Sequence, residues 1–109
     1  MTVEKFASAL NAEVVCMPDG GREVEGAYIG DLLSWVMGRA DEGCVWITIM
    51  SNVNVVAVAT LRDVACILLA EGVTLDDEVK LLAEQKGVNV LKTSLSAYDA
   101  AVLVSGTLC

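Results

Sequence analysis

Cysteine is the residue type in this chain with the most distinctive chemistry, and Cys16, Cys44, Cys66 and Cys109 stand dozens of residues apart with no Cys-x-x-Cys pair. Iron–sulfur and structural zinc sites draw on close pairs, because a short turn presents two thiolates to one metal. Three of the four lie in or beside apolar runs, Val14-Val15-Cys16, Cys44-Val45-Trp46-Ile47 and Cys66-Ile67-Leu68-Leu69, where a reduced cysteine packs as a small hydrophobe. Packing is therefore the preferred reading and no cofactor is expected. Distant strand cysteines converging on an iron–sulfur cluster is the alternative.

The chain has no histidine, which removes the commonest general base, metal ligand and pH sensor together and excludes any Ser-His or Cys-His nucleophile. Hydrolytic chemistry would have to use carboxylates or lysine. The acidic runs Glu23-Val24-Glu25 and Asp76-Asp77-Glu78 read as solvated faces rather than catalytic pairs. Gly20-Gly21 is not followed by the Lys-Ser or Lys-Thr of a phosphate loop, so Pro18-Asp19-Gly20-Gly21 reads as a turn. With no catalytic constellation, the expectation is a protein that is not an enzyme.

The remaining polar candidates are expected at the C-terminal ends of strands, the edge at which open α/β sheets bind ligands. They are Asn52, Asn54, Thr60, Glu71, Gly72, Thr93 and Ser94, with a pocket at Asn52, Asn54 and Thr93 as the ligand-binding expectation. A plainer reading competes, since Thr60-x-x-Asp63, Thr74-x-x-Asp77 and Ser96-x-x-Asp99 all have capping-box spacing and their hydroxyls can satisfy free helix N–H groups.

Composition bounds the partners. Seven Lys and Arg against fifteen Asp and Glu leave a net charge of −8 over 109 residues, and the cations are scattered, which disfavours nucleic acid and anionic membranes. The run from Cys44 to Leu61 is uncharged, but Ser51-Asn52-Val53-Asn54 would place polar groups at a bilayer centre, so no membrane span is expected. The N-terminus lacks a basic region followed by an apolar stretch, so no signal peptide is expected and the cytoplasm is the expected compartment. Apolar residues make up 55% of the chain, enough for one folded domain spanning 1–109. Tyr28, Trp35, Met37, Trp46 and Met50 exceed what one small core readily absorbs, which points to a homo-oligomer.

Periodicity then places the elements. Thr2 to Leu10 reads as a helix capped by Thr2 and stopped by Asn11, and Glu13 to Met17 and Gly26 to Ile29 as strands. Asp31 is placed to cap a helix running to Ala40. Cys44 to Met50 and Val53 to Val58 are two β-branched runs about a Ser51-Asn52 turn and read as central strands. Thr60 to Gly72 fits a helix face and a buried strand equally. Thr74 to Lys86 is a helix stopped by Gly87, Val88 to Leu91 a strand, and Ser96 opens a last helix that frays from Gly106. This alternation predicts an α/β domain with a mainly parallel or mixed sheet flanked by helices.

Gly26-Ala27-Tyr28-Ile29-Gly30-Asp31-Leu32-Leu33-Ser34, Val45-Trp46-Ile47-Thr48-Ile49 and Asn54-Val55-Val56-Ala57-Val58-Ala59, followed by Asp76-Asp77-Glu78 and the stretch from Gly87 to Ser96, form an ordered set that resembles the DRTGG-domain family over about residues 2 to 105. Members are similar to the N-terminal domain of HPr kinase/phosphorylase and occur as regulatory modules in phosphotransacetylases and CBS-containing pyrophosphatases. The resemblance implies a strand at Cys66 to Ala70 after a short helix from Thr60 to Ala65. It also implies a regulatory module that senses a small ligand or docks on a partner enzyme. Where many relatives carry Thr-Gly-Gly after the strand, this chain reads Ala70-Glu71-Gly72. Stand-alone proteins of this type resemble ones labelled iron–sulfur-binding hydrogenase, which implies, as the alternative, an accessory component of an iron–sulfur hydrogenase or redox system with a hydrogenase subunit as partner.

Overall fold

The N-terminal segment folds as expected: α1 (Val3–Leu10) is capped by the Thr2 hydroxyl, which accepts from Lys5 N at 3.3 Å, and ends at Asn11 in the left-handed region. Val3, Phe6, Ala7 and Leu10 form its buried stripe. The Val3 and Glu4 N–H groups, left free by the helix, donate to the carbonyls of Arg22 and Gly20, so the glycine turn serves as a second cap. The computed structural model describes residues 1–108.

The chain continues through β1 (Glu13–Cys16), β2 (Gly26–Ile29), α2 (Leu33–Arg39), β3 (Cys44–Thr48), α3 (Val53–Arg62), β4 (Cys66–Leu69), α4 (Asp77–Lys86), β5 (Val90–Lys92) and α5 (Ala97–Leu108). The five strands form one sheet in the order β1-β5-β4-β3-β2. Strands β2 to β5 are parallel, and β1 runs antiparallel beside β5 with a register irregularity between Val14 and Cys16. The expected α/β fold with a mixed sheet is therefore present.

Two hydrophobic layers cover the sheet. On one face α2, α3 and α4 bury Val36, Val56, Ala59, Val79 and Ala83 against Trp46, Ile67, Leu69 and Val90. On the other, α1 and α5 bury Phe6, Leu10, Ala100 and Val104 against Val45, Ile47, Leu68 and Leu91. Every residue of β3 and β4 is buried, as both-faced coverage requires.

Several expected elements are corrected. Val53 to Val58 is helix, because parallel β3 and β4 need a crossover between them and Asn52 caps it by accepting from Asn54 N at 2.9 Å. Val55, Val56, Val58 and Ala59 bury one face of that helix, so packing overrides the β propensity of the valines. The expected helix at Thr60 to Ala65 is only the last turn of α3, which stops at Asp63 in the left-handed region. Thr74 does not open α4, whose cap position is Asp76, without a side-chain bond. α5 continues through Gly106 to Leu108 instead of fraying.

Asp31 does not cap α2, which begins after Leu32. Its carboxylate instead accepts from the Thr48 hydroxyl at 2.8 Å and from Ile49 N at 2.9 Å, satisfying a buried hydroxyl at the end of β3 and tying β2 to β3. Of the five large side chains expected to exceed the core, Trp46 is fully buried, and Tyr28, Met37 and Met50 pack, partly buried, against the hydrophobic cluster that contains it. Only Trp35 stays out, 53% exposed, with the Arg39 guanidinium 3.8 Å above its ring. Among the described residues no helix is long and apolar enough to cross a membrane.

One ion pair links the glycine turn to the end of α3. Arg22 donates to both Asp63 carboxylate oxygens, at 2.9 and 3.2 Å, and to the Asp63 carbonyl at 3.0 Å. These hydrogen bonds hold the Asp63 carboxyl below its ordinary value of 3.8. A lowered folded pKa means the contribution is present above the unfolded value and fades as pH falls through the folded one. Asp63→Asn, which keeps the shape and tolerates the left-handed backbone, is therefore expected to flatten the loss of stability below about pH 4. Urea midpoints between pH 2.5 and 6 check this; parallel curves for the two proteins would refute it.

Candidate functional site

The C-terminal edge of the parallel strands carries the expected candidates only in part. Strand β4 leaves the sheet through Glu71 and Gly72, both with positive φ, 60° and 72°. A left-handed residue other than glycine costs about 1–2 kcal/mol. The turn repays that locally, with Glu71 N donating to Leu95 O at 2.8 Å and Gly72 N to Thr93 O at 2.9 Å. The Glu71 carboxylate also faces the start of α5, accepting from Ala97 N at 3.4 Å.

Across this turn, β5 ends in Lys92, Thr93 and Ser94. These three, with Gly72 and with Asn11 and Glu13 from the β1 side, line a polar cleft of about 290 Å³. Thr93 Oγ1 accepts from Leu95 N at 3.2 Å. Lys92 Nζ lies 3.3 Å from Glu13 Oε2, the lysine mostly covered and the glutamate exposed. The cleft thus offers one cation, two hydroxyls and an amide, a set suited to a small polar ligand with an anionic group; such a ligand would compete with Glu13 for Lys92.

Gly72, Thr93 and Ser94 are brought together there, with Glu71 beside them. Asn52, Asn54 and Thr60 are not. Asn52 is spent as the α3 cap, while Asn54 and Thr60 lie on α3 beside a second, largely apolar cleft of about 300 Å³ against Leu82 and Lys86. The Thr60 hydroxyl donates to Val56 O within the helix and does not cap a helix N-terminus. Ser96, by contrast, does accept from Asp99 N at 3.1 Å. Sequence reasoning passed over Lys92, at the end of β5, and over Asn11 and Glu13, which reach the cleft only because β1 pairs antiparallel with β5. The available signal was Lys92, directly before the two hydroxyls at a strand end.

The cysteines fall in different layers. Cys16 and Cys44 face α2, α3 and α4, whereas Cys66 faces α1 and α5; Cys109 lies outside the described residues. The Cys16 thiol donates to Val88 O at 3.4 Å. Burial pushes the Cys44 thiol up to about 11, and burial together with the neighbouring Cys44 pushes Cys66 higher. All three are protonated at neutral pH and weak as nucleophiles or ligands. Among the described residues no three His, Cys, Asp or Glu side chains gather as a metal would need.

A profile of the DRTGG domain matches residues 5–107. The chain belongs to the DRTGG-domain family. Among solved structures, the CBS and DRTGG domains of the regulatory region of Clostridium perfringens pyrophosphatase, complexed with its activator diadenosine tetraphosphate, match with a TM-score of 0.70 and 16% identity. The match covers 94% of this chain and 45% of that one, so this DRTGG domain spans under half the length of that regulatory-region chain, and at such identity the likeness is one of fold. No curated protein sequence matches the chain. In this DRTGG domain the two left-handed positions after β4 fall on Glu71-Gly72.

Proposed function

We propose that this chain is a single, non-catalytic DRTGG regulatory module that senses a small ligand, docks on a partner enzyme and self-associates in the cytoplasm. Its membership of a family represented in a pyrophosphatase regulatory region is the observation that carries this reading. The cleft at the end of β5 supports ligand sensing, because Lys92, Thr93 and Ser94 meet a backbone turn already held in an uncommon conformation. Buried thiols support packing as the role of Cys16, Cys44 and Cys66.

The relative's activator carries phosphates and nucleosides, which makes diadenosine tetraphosphate, ATP, AMP and pyrophosphate the probes of choice. A ligand at a hundredfold excess over its Kd stabilises the folded state by about 2.7 kcal/mol, roughly 10 °C on a domain of this size. At least one probe is expected to raise Tm by that order, and Lys92→Gln to abolish the shift while leaving the unliganded Tm within about 2 °C. A shift that survives Lys92→Gln places the ligand elsewhere. No shift with any probe at millimolar concentration overturns ligand sensing for this class.

A further inference from the structure

The outward face of α3 has no charge on it. Thr60, Val53, Ala57, Leu61 and Asn54 are its exposed residues, and at 3.6 residues per turn they fill one continuous arc with Ala57 at its centre. Val53 and Leu61 are large and solvent-facing, at 52% and 70% exposure. A surface helix normally turns charged and polar side chains to water, and one residue in five of this chain is charged.

We infer that this face is where two copies of the chain meet, through antiparallel packing of α3 on α3 about a two-fold axis passing Ala57. The inference rests on the self-association proposed above and supplies its surface. A two-fold interface must be complementary to itself. The stripe Val53-Ala57-Leu61 meets that condition: it runs about 12 Å along the helix, and inversion of its direction sets each large end against the other copy's opposite end. Small Ala57 then faces itself, letting the two backbones approach closely.

The flanking charges agree with the same orientation. Helices α3 and α4 pack side by side and both follow parallel strands, so their N-termini share one edge of the sheet. Helix α4 starts with Asp76, Asp77 and Glu78 and ends with Lys86, which borders the α3 groove. Antiparallel docking brings the Lys86 end of one copy toward the acidic start of the other's α4, twice by symmetry. Parallel docking would put the two α4 helices on opposite sides of the α3 pair and forgo these contacts.

Sedimentation velocity on the full chain tests the surface. The unmodified protein is expected to be a dimer. Ala57→Glu, an exposed change whose folding is verified by far-UV circular dichroism, should raise the dimer dissociation constant by about a hundredfold or more, because it desolvates two facing carboxylates. Tyr98→Glu, on exposed α5, should leave the dimer intact. In a Cys109→Ser background, Ala57→Cys should form a disulfide dimer under mild oxidation, since only a residue near the axis can meet its own copy within about 7 Å between Cα atoms. A dimer indifferent to Ala57→Glu, with no cross-link through position 57, overturns this surface while leaving self-association standing. A monomer at millimolar concentration overturns both and leaves the uncharged face to a different protein.

Discussion

Trp46→Ala is expected to lower the free energy of unfolding by about 4 kcal/mol, within the range for deleting a buried tryptophan. Trp46 is the largest fully buried side chain, at the middle of β3 between Tyr28 of β2 and Ile67 of β4. Its indole N–H also donates to the Gly30 carbonyl at 2.9 Å, joining the packed core to the exit of β2. A domain of this size has about 5–15 kcal/mol in total, so the variant should be marginal. Trp46→Phe separates the two contributions, keeping much of the apolar volume while orphaning the carbonyl and leaving a smaller cavity, for about 1–3 kcal/mol. Guanidinium unfolding followed by circular dichroism measures both, because the remaining tryptophan, Trp35, sits exposed under Arg39 and reports poorly on the core. A loss below about 1 kcal/mol for the alanine variant would contradict the packing described.

Asn89→Leu should cost about 3 kcal/mol through a different mechanism. Asn89 is buried and fully satisfied: its Nδ2 donates to Asp19 O at 2.8 Å and Ala65 O at 2.9 Å, and its Oδ1 accepts from Asp19 N at 2.9 Å. One side chain therefore holds the Pro18–Gly21 turn onto the entry of β4. Leucine matches the volume but leaves those groups without partners, and the Ala65 carbonyl, in a buried residue, cannot recover its bond from bulk water. Asn89→Asp adds a sign test. An aspartate facing two carbonyls is disfavoured when ionised, so its folded pKa rises and its penalty grows as pH rises above the unfolded value. The Asp variant should therefore be closer to the unmodified protein at pH 4 than at pH 7. Urea midpoints at the two values decide it, and an equal deficit at both would count against the network.

The turn that Asn89 anchors shows how far the sequence could be read. Pro18-Asp19-Gly20-Gly21 was legible as a turn from local chemistry, as were the Thr2 cap, the Asn11 and Gly87 stops and the Ser96 cap, because each depends on groups within four residues. Nothing local shows that Asn89 reaches Asp19 across 70 positions. The same limit explains Asp31, whose spacing suits a cap but whose carboxylate is claimed by Thr48 on the neighbouring strand. It explains the cleft too: Thr93 and Ser94 were visible at a strand end, whereas Glu13 and Asn11 entered through antiparallel pairing with β1.

Alternation of apolar runs with capped helices, the absence of histidine and the dispersion of the cysteines are properties of the chain alone, and they suffice for an α/β domain without nucleophile–base chemistry based on histidine. Tertiary structure decided what each ambiguous segment became. Val53–Val58 has the composition of a strand, yet it is a helix because parallel neighbours need a crossover and its valines are buried only on that face. Tertiary structure also decided which polar groups remain available. Caps and strand ties consume Asn52, Asp31 and Asn89, whereas Lys92, held only by an exposed Glu13, gathers with Thr93 and Ser94 around one cleft, since hydrogen-bond satisfaction is settled by distance in space and not by spacing along the chain.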